Sequence, residues 1–308
     1  MTHSGDPPDL PHDRRSELLA VLAIVAMTAV WGSTFVIIKD AIEQLAIGSF
    51  LAIRFAIATA VLLILRPGAI GRLDRSAWRA ALILGVLYGV GQVLQTWGLR
   101  FTSPSVSGFV TGMYVVFTPL IAAALVRQRV ALRAWLAVVI ALAGIAVLSL
   151  HGFALGSGEL LTLAAAFVYG GHIVATGEWS PGRDPIGLVT VQLGTVALVG
   201  VAAMPFDGRI ELPSGGQEWF AVIYTAVFAS SLVLLLQTWA QARISPTRAA
   251  VTMMLEPVFA AGFAVALGVD TLTLRMVIGG VMVLAAMYLV ELGPRKGAEG
   301  SLPHAGPP

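Results

Sequence analysis

"QTWGLRFTSP" (Gln95–Pro104) and "QTWAQARISP" (Gln237–Pro246) are one phrase written twice, 142 residues apart. Each follows a leucine, opens with Gln-Thr-Trp and closes with Ser-Pro at the same spacing. The phrase has company. Arg54 in "LAIRF" and Gln192 in "VTVQL" stand 138 residues apart, as do Trp31 in "WGSTF" and Tyr169 in "YGGHI", and Pro119 and Pro257. Two compensating length differences around the phrase reconcile the two offsets. A self-similarity of this kind is the mark of a duplicated unit, here with halves at 17–150 and 157–292.

The solvent for those halves follows from composition. The 308 residues are 57% hydrophobic and only 12% charged, with a mean hydropathy of +0.86. That is too little charge to cover a water-soluble domain of this size. Stretches 18–38, 136–150 and 276–290 carry no charge at all. A helix needs about 20 mainly apolar residues to cross a hydrocarbon core. Cutting the chain at charge and Pro/Gly clusters gives ten such segments, at 18–38, 45–65, 80–99, 105–126, 133–150, 159–178, 186–204, 218–240, 248–268 and 274–291. The runs are continuous rather than alternating, so helices are expected and not barrel strands.

Each half therefore holds five segments, an odd number, and the second copy must enter the membrane from the opposite side. The expected fold is an all-α integral membrane protein with ten transmembrane helices arranged as two inverted five-helix repeats. In such repeats the substrate site lies at mid-depth between the halves. The cations agree with a cytoplasmic N-terminus. They collect in alternate loops and in both tails, leaving Lys39, Arg100, Arg209 and Arg275 for the other side. The positive-inside rule then places both termini in the cytoplasm. The net charge of +2 reports topology and not nucleic-acid binding.

Residues 1–16 read as a polar tail before an uncleaved first helix, and residues 293–308 as a Gly/Pro-rich tail. The chain has no cysteine, which excludes disulfides and thiolate metal sites. No metal and no cofactor is expected.

Polar residues inside apolar segments carry the candidates. Arg54 and Glu256 are the two charges well inside segments, at similar depth. An ionisable group there costs at least about 2.5–3.5 kcal/mol, so each needs a partner or a wet cavity. Either the two pair as a clamp between the halves, or Glu256 faces the cavity alone and carries a coupling proton. Their counterparts in the other half, Gln192 and Thr118, are neutral, so the pathway is expected to be chemically lopsided on a symmetric scaffold. Trp31, Ser33, Thr34, Gln95, Trp97, Tyr114, His172, Gln192 and Gln237 are further pathway candidates, with Tyr88, Gln92, Thr111 and Tyr169 among the remaining intramembrane polar and aromatic residues. A lone residue of this type usually bonds a neighbouring helix; together they suffice to line a polar-aromatic cavity. Pro119 and Pro257 each remove a helical hydrogen bond and are hinge candidates. Gly85/Gly89 and Gly108/Gly112 fit a small-residue packing pattern.

"WGSTFVIIK" (31–39), "LAIRF" (51–55), "TSPSVSGFVTGMYVVFTPL" (102–120) and "LEPVFAAGFAVAL" (255–267) resemble the drug/metabolite transporter superfamily in its ten-helix EamA-type branch. The resemblance spans all but the tails. It implies two EamA-type repeats, a bacterial inner-membrane location, export of small metabolites such as amino acids or of toxic compounds, and coupling to protons. One departure follows the fourth segment. Where the family writes Gly-Glu-Arg this chain has Arg127-Gln128-Arg129, while Asp270 fills the acidic position in the second half.

The expected partners are the lipid bilayer, a small-molecule substrate and protons, with no nucleic acid, in a monomer or homodimer. A passive facilitator is the near alternative to secondary active export. An intramembrane enzyme is the distant one: no metal-protease helix, nucleophile–base pairing or phosphate-binding loop is written in the chain.

Overall fold

The computed structural model describes residues 14–125, 132–149, 156–180, 182–233, 236, 240 and 252–291. Among them the protein is helical, without strands. The helices are α1 (Arg14–Gln44), α2 (Ile47–Leu65), α3 (Arg75–Phe101), α4 (Pro104–Thr111), α5 (Tyr114–Leu125), α6 (Leu132–Ser149), α7 (Ser157–Trp179), α8 (Pro185–Asp207), α9 (Gly216–Tyr224), α10 (Leu255–Ala266) and α11 (Leu274–Glu291). A π-helical stretch, Thr225–Leu232, continues α9. Among the described residues six spans are long and apolar enough to cross a membrane: Leu18–Gln44, Ile47–Leu65, Arg75–Phe101, Pro104–Leu125, Ser157–Trp179 and Pro185–Asp207. Leu132–Leu148, Leu255–Ala266 and Leu274–Leu289 are shorter apolar helices.

Local chemistry explains the boundaries. Asp74 caps α3 by accepting from the Ala77 N–H at 2.6 Å. Ser103 caps α4 through Val106 N–H, with Pro104 at the first position, where a missing N–H costs no helical bond. Asp184 and Pro185 repeat that arrangement at α8. Gly208 ends α8 in a left-handed conformation, φ +69°, which only glycine adopts without strain.

Four segments differ from expectation, the one at 248–268 by a break at Met254 just before α10. The first helix runs on to Gln44, so Lys39 lies within α1 rather than in a loop. Its ammonium donates to the carbonyls of Leu99, Arg100 and Thr102 at 2.8–3.1 Å, the end groups of α3 that no helical N–H can reach. The segment at 105–126 is two helices, broken at Gly112–Met113, where short-range bonds (Met113 N–H to Val110 O, Val115 N–H to Gly112 O) tighten the turn. The segment at 218–240 changes to π-helical winding at Thr225, and Ser230 and Ser231 donate to carbonyls five residues back. Of the second copy of the doubled phrase only Ala240 is described, so Gln237 and Trp239 lie outside the described residues, as do Arg127-Gln128-Arg129, residues 1–13 and the C-terminal tail, whereas Arg14–Ser16, expected in the N-terminal tail, open α1.

The helices pack through glycines. Gly48 and Gly200 bring α2 and α8 backbone to backbone, at Met204 and Ala52 respectively. Gly98 and Gly91 seat α7 on α3, against Thr162 and Tyr169. Gly108 and Gly112 receive Ala260 and Pro257 of α10, while Gly144 and Gly279 join α6 to α11. Gly85 and Gly89 meet Thr195 and Val199 of α8. These contacts set directions. The start of α2 meets the end of α8, and its far end meets the start of α8 through the Arg66–Asp184 ion pair at 3.1 Å. By the same reading α4 runs antiparallel to α10, since Ser105 N–H donates to Asp270 while Gly112 meets Pro257. Apolar side chains such as Ile64, Leu198 and Leu274 point outward, which suits a lipid surround. The largest buried cluster gathers on Phe50, Phe55, Ile42 and Leu45.

Candidate functional site: a polar cavity between the halves

A cavity of about 450 Å³ is lined by α1, α2, α3, α7, α8, the π-helical stretch and the residues flanking the two helix breaks. Its volume falls within the range of small-molecule sites. The expected residues Trp31, Thr34, Arg54, Gln95, Tyr114, His172, Gln192 and Glu256 all line it, joined by Tyr88, Gln92, Thr111 and Tyr169. Thr96, Thr176 and Ser230 line it as well. They were not among the sequence candidates, because a small hydroxyl in an apolar helix usually bonds its own preceding turn and leaves no distinguishing signal.

Two expected residues lie elsewhere. Ser33 donates to the Val30 carbonyl and bonds the Tyr224 hydroxyl at 2.9 Å, on the side of α1 that faces α9. Trp97 turns toward the end of α8, its indole N–H 3.4 Å from Asp207 and its ring against Phe206. Helical rotation explains both, since neighbours one or two positions along a helix face different ways.

Hydrogen bonds order the walls. Tyr169 donates to Gln95 Oε1 at 2.9 Å, and Gln95 Nε2 donates to Thr111 Oγ1 at 3.0 Å. His172 Nε2 and Gln192 Oε1 are 3.0 Å apart, and the His172 ring lies 5.3 Å from that of Tyr88. The Trp31 indole donates to the Ala229 carbonyl at 2.9 Å, an atom presented by the π-helical stretch.

The two charges do not pair. Glu256 accepts from the Tyr114 hydroxyl at 3.4 Å. Arg54 donates from Nη2 to Ser230 Oγ at 3.3 Å, and its guanidinium carbon sits 4.7 Å from the Phe55 ring centroid. Its Nε and Nη1 have no acceptor among the described residues. The clamp between Arg54 and Glu256 is therefore not formed in this structure.

Neither hinge candidate is itself the break. Pro119 lies inside α5, nearly two turns beyond Gly112–Met113. Pro257 is the third residue of α10, where no helical bond is lost, because the preceding helix stops at Met254. The breaks matter to the cavity: Thr111 and Tyr114 flank one, Met253 and Glu256 the other, and all four face the cavity. Among the described residues no cluster of His, Asp and Glu has the makings of a metal site.

A model of the EamA-like transporter family matches residues 18–150 and again residues 156–292. The chain belongs to this family. It is similar to an uncharacterised transporter of Archaeoglobus fulgidus, 28% identical over 278 residues, covering 89% of this chain and 86% of the relative. A solved crystal structure matches at a TM-score of 0.62 and 18% identity, covering 90% of this chain and 96% of that one, a likeness of fold alone. With two EamA matches and the apolar helices, this EamA-like protein is a multi-pass membrane transporter.

Proposed function

We propose that the protein is a secondary active exporter of small metabolites, amino acids or related compounds, or drugs, and that Glu256 couples export to protons. The observation carrying this reading is the cavity between the two halves, which holds Glu256 and Arg54 without pairing them. A carboxyl whose partner among the described residues is one phenol is suited at membrane depth to taking up and releasing a proton. Trp31, Thr34, Gln95, Tyr114, His172 and Gln192 form the pathway with them.

The scaffold we propose is ten transmembrane helices in two inverted repeats, in a bacterial cell membrane with both termini cytoplasmic. Antiparallel packing supports the inversion. Segments two, four and five of the first half meet their own counterparts in the second (α2 with α8, α4 with α10, α6 with α11), and α2/α8 and α4/α10 run antiparallel. A twofold axis relating antiparallel helices lies across them, in the membrane plane, as inverted repeats require. The helix breaks beside the cavity fit the same reading, because discontinuous helices form the site in such transporters.

The test is flux in proteoliposomes under an imposed proton gradient, with radiolabelled amino acids and cationic drugs as cargo. Accumulation against a gradient that collapses with a protonophore supports the proposal. Equilibration without accumulation indicates a facilitator, and no flux of any solute overturns transport of these classes.

A further inference from the structure

Among the described residues Arg54 is a buried cation without a counter-charge. Its residue is 4% exposed, yet one hydroxyl, that of Ser230, is the sole hydrogen-bonding partner of its guanidinium among the described residues. The aromatic face of Phe55 adds a cation–π contact. Neither offsets the loss of water around a full charge. Among the described residues Glu256 is the carboxylate that lines the cavity with Arg54, and Glu256 is engaged with Tyr114.

We propose that the cargo itself supplies the missing charge, as a carboxylate seated on Arg54. This inference rests on the transport reading of the cavity and names the cargo's chemistry. A guanidinium presents its donors in a planar fork that matches the two oxygens of a carboxylate, and such bonds are short and strong. The rest of the cavity suits the remainder of an organic acid. Trp31, Phe35, Tyr88, Tyr169 and Leu99 line it and accept an apolar or aromatic body. Arg54 is thus a specificity-determining residue: a neutral isostere leaves the guanidinium unpaired, and an amine meets it as a like charge.

The experiment compares 3-phenylpropionate, its neutral amide and 2-phenylethylammonium on the purified full-length protein. Binding is read by quenching of tryptophan fluorescence, since Trp31 lines the cavity, and flux is read in proteoliposomes. The carboxylate is expected to bind about tenfold or more tightly than either analogue, the size of a lost charge-assisted hydrogen bond. Arg54→Lys keeps a weakened preference and Arg54→Gln removes it. Equal affinity for the three ligands overturns the proposal, as does a preference for the ammonium, a carboxylate preference that survives in Arg54→Gln, or equal competition by sodium chloride. If Arg54→Gln does not fold, the ligand series on the unaltered protein still decides. Carboxylate-selective binding without flux of any ligand overturns transport and leaves the anchor standing; flux without charge preference does the reverse.

Discussion

Trp31 and Tyr169 hold equivalent places in the two halves, and each donates its polar hydrogen to the third segment of the other half. Tyr169 reaches Gln95 of α3, and Trp31 reaches Ala229 of the π-helical stretch after α9. The chemistry differs, phenol to amide in one case and indole to backbone carbonyl in the other, while the crossing is the same. These bonds tie the halves together across the cavity. Tyr169→Phe leaves Gln95 Oε1 without its donor and should destabilise the protein by about 1 kcal/mol, read as a lower unfolding temperature in detergent. Glu256 behaves differently. Among the described residues it has one phenolic partner and no ion pair with Arg54, so Glu256→Gln should leave expression and unfolding temperature near those of the parent. Proton-driven accumulation should disappear, while downhill exchange persists. A variant that fails to fold instead marks Glu256 as structural and removes it as the coupling group.

At the scale of helices, the pattern of apolar runs was readable because each run answers to one requirement, the thickness of a membrane. The segment expected at 45–65 is α2 (Ile47–Leu65), and that at 186–204 is α8 (Pro185–Asp207). The interruptions were not readable. Proline is the conspicuous breaker in a sequence, yet the breaks fall at Gly112–Met113 and Met254, and the π-helical winding at Thr225–Leu232 has only small hydroxyl residues to mark it. Those departures are held by tertiary contacts, such as Pro257 against Gly112 and Arg54 on Ser230, which no local pattern displays. Glycine positions make the packing testable. A Cβ at Gly98 would lie 2.3 Å from Thr162 Oγ1 and 2.8 Å from the Gly158 carbonyl, whereas one at Gly262 meets nothing within 4 Å. Gly98→Ala must push α3 from α7 and should cost about 1–3 kcal/mol. Gly262→Ala should be neutral or stabilise by up to about 1 kcal/mol through helix propensity. Unfolding temperatures of the pair measure the difference, and equal values would show that α3 and α7 do not pack as described.

For the molecule as a whole, the doubled phrase disclosed the duplication, and most of the cavity's polar residues were readable as misfits in apolar segments. Which face each one turns inward was not, as Ser33 and Trp97 show. Nor was the network that draws one end of the molecule together. At the end where α1 and α3 finish, Lys39 binds three carbonyls of the α3 terminus, Asp207 takes the Gly48 N–H, Glu211 takes the Ala46 N–H, and Asp270 takes the Ser105 N–H. Gln217 also bonds Asp40 there. These bonds cross between different elements at that end. Lys39 ties α1 to the end of α3, and both helices line the cavity. Removing its ammonium should loosen that end without touching the cavity wall. The chain has no cysteine, so a single Thr34→Cys reports on the cavity alone. In membrane vesicles sealed with this end outward, an impermeant thiol reagent should label Thr34→Cys slowly, and Lys39→Met should speed labelling several-fold, about what the loss of a charge-assisted contact worth roughly 1.5 kcal/mol implies. Unchanged labelling would mean that the carboxylate caps hold this end closed without Lys39, and combining Lys39→Met with Asp270→Asn would then be the pairing that opens it.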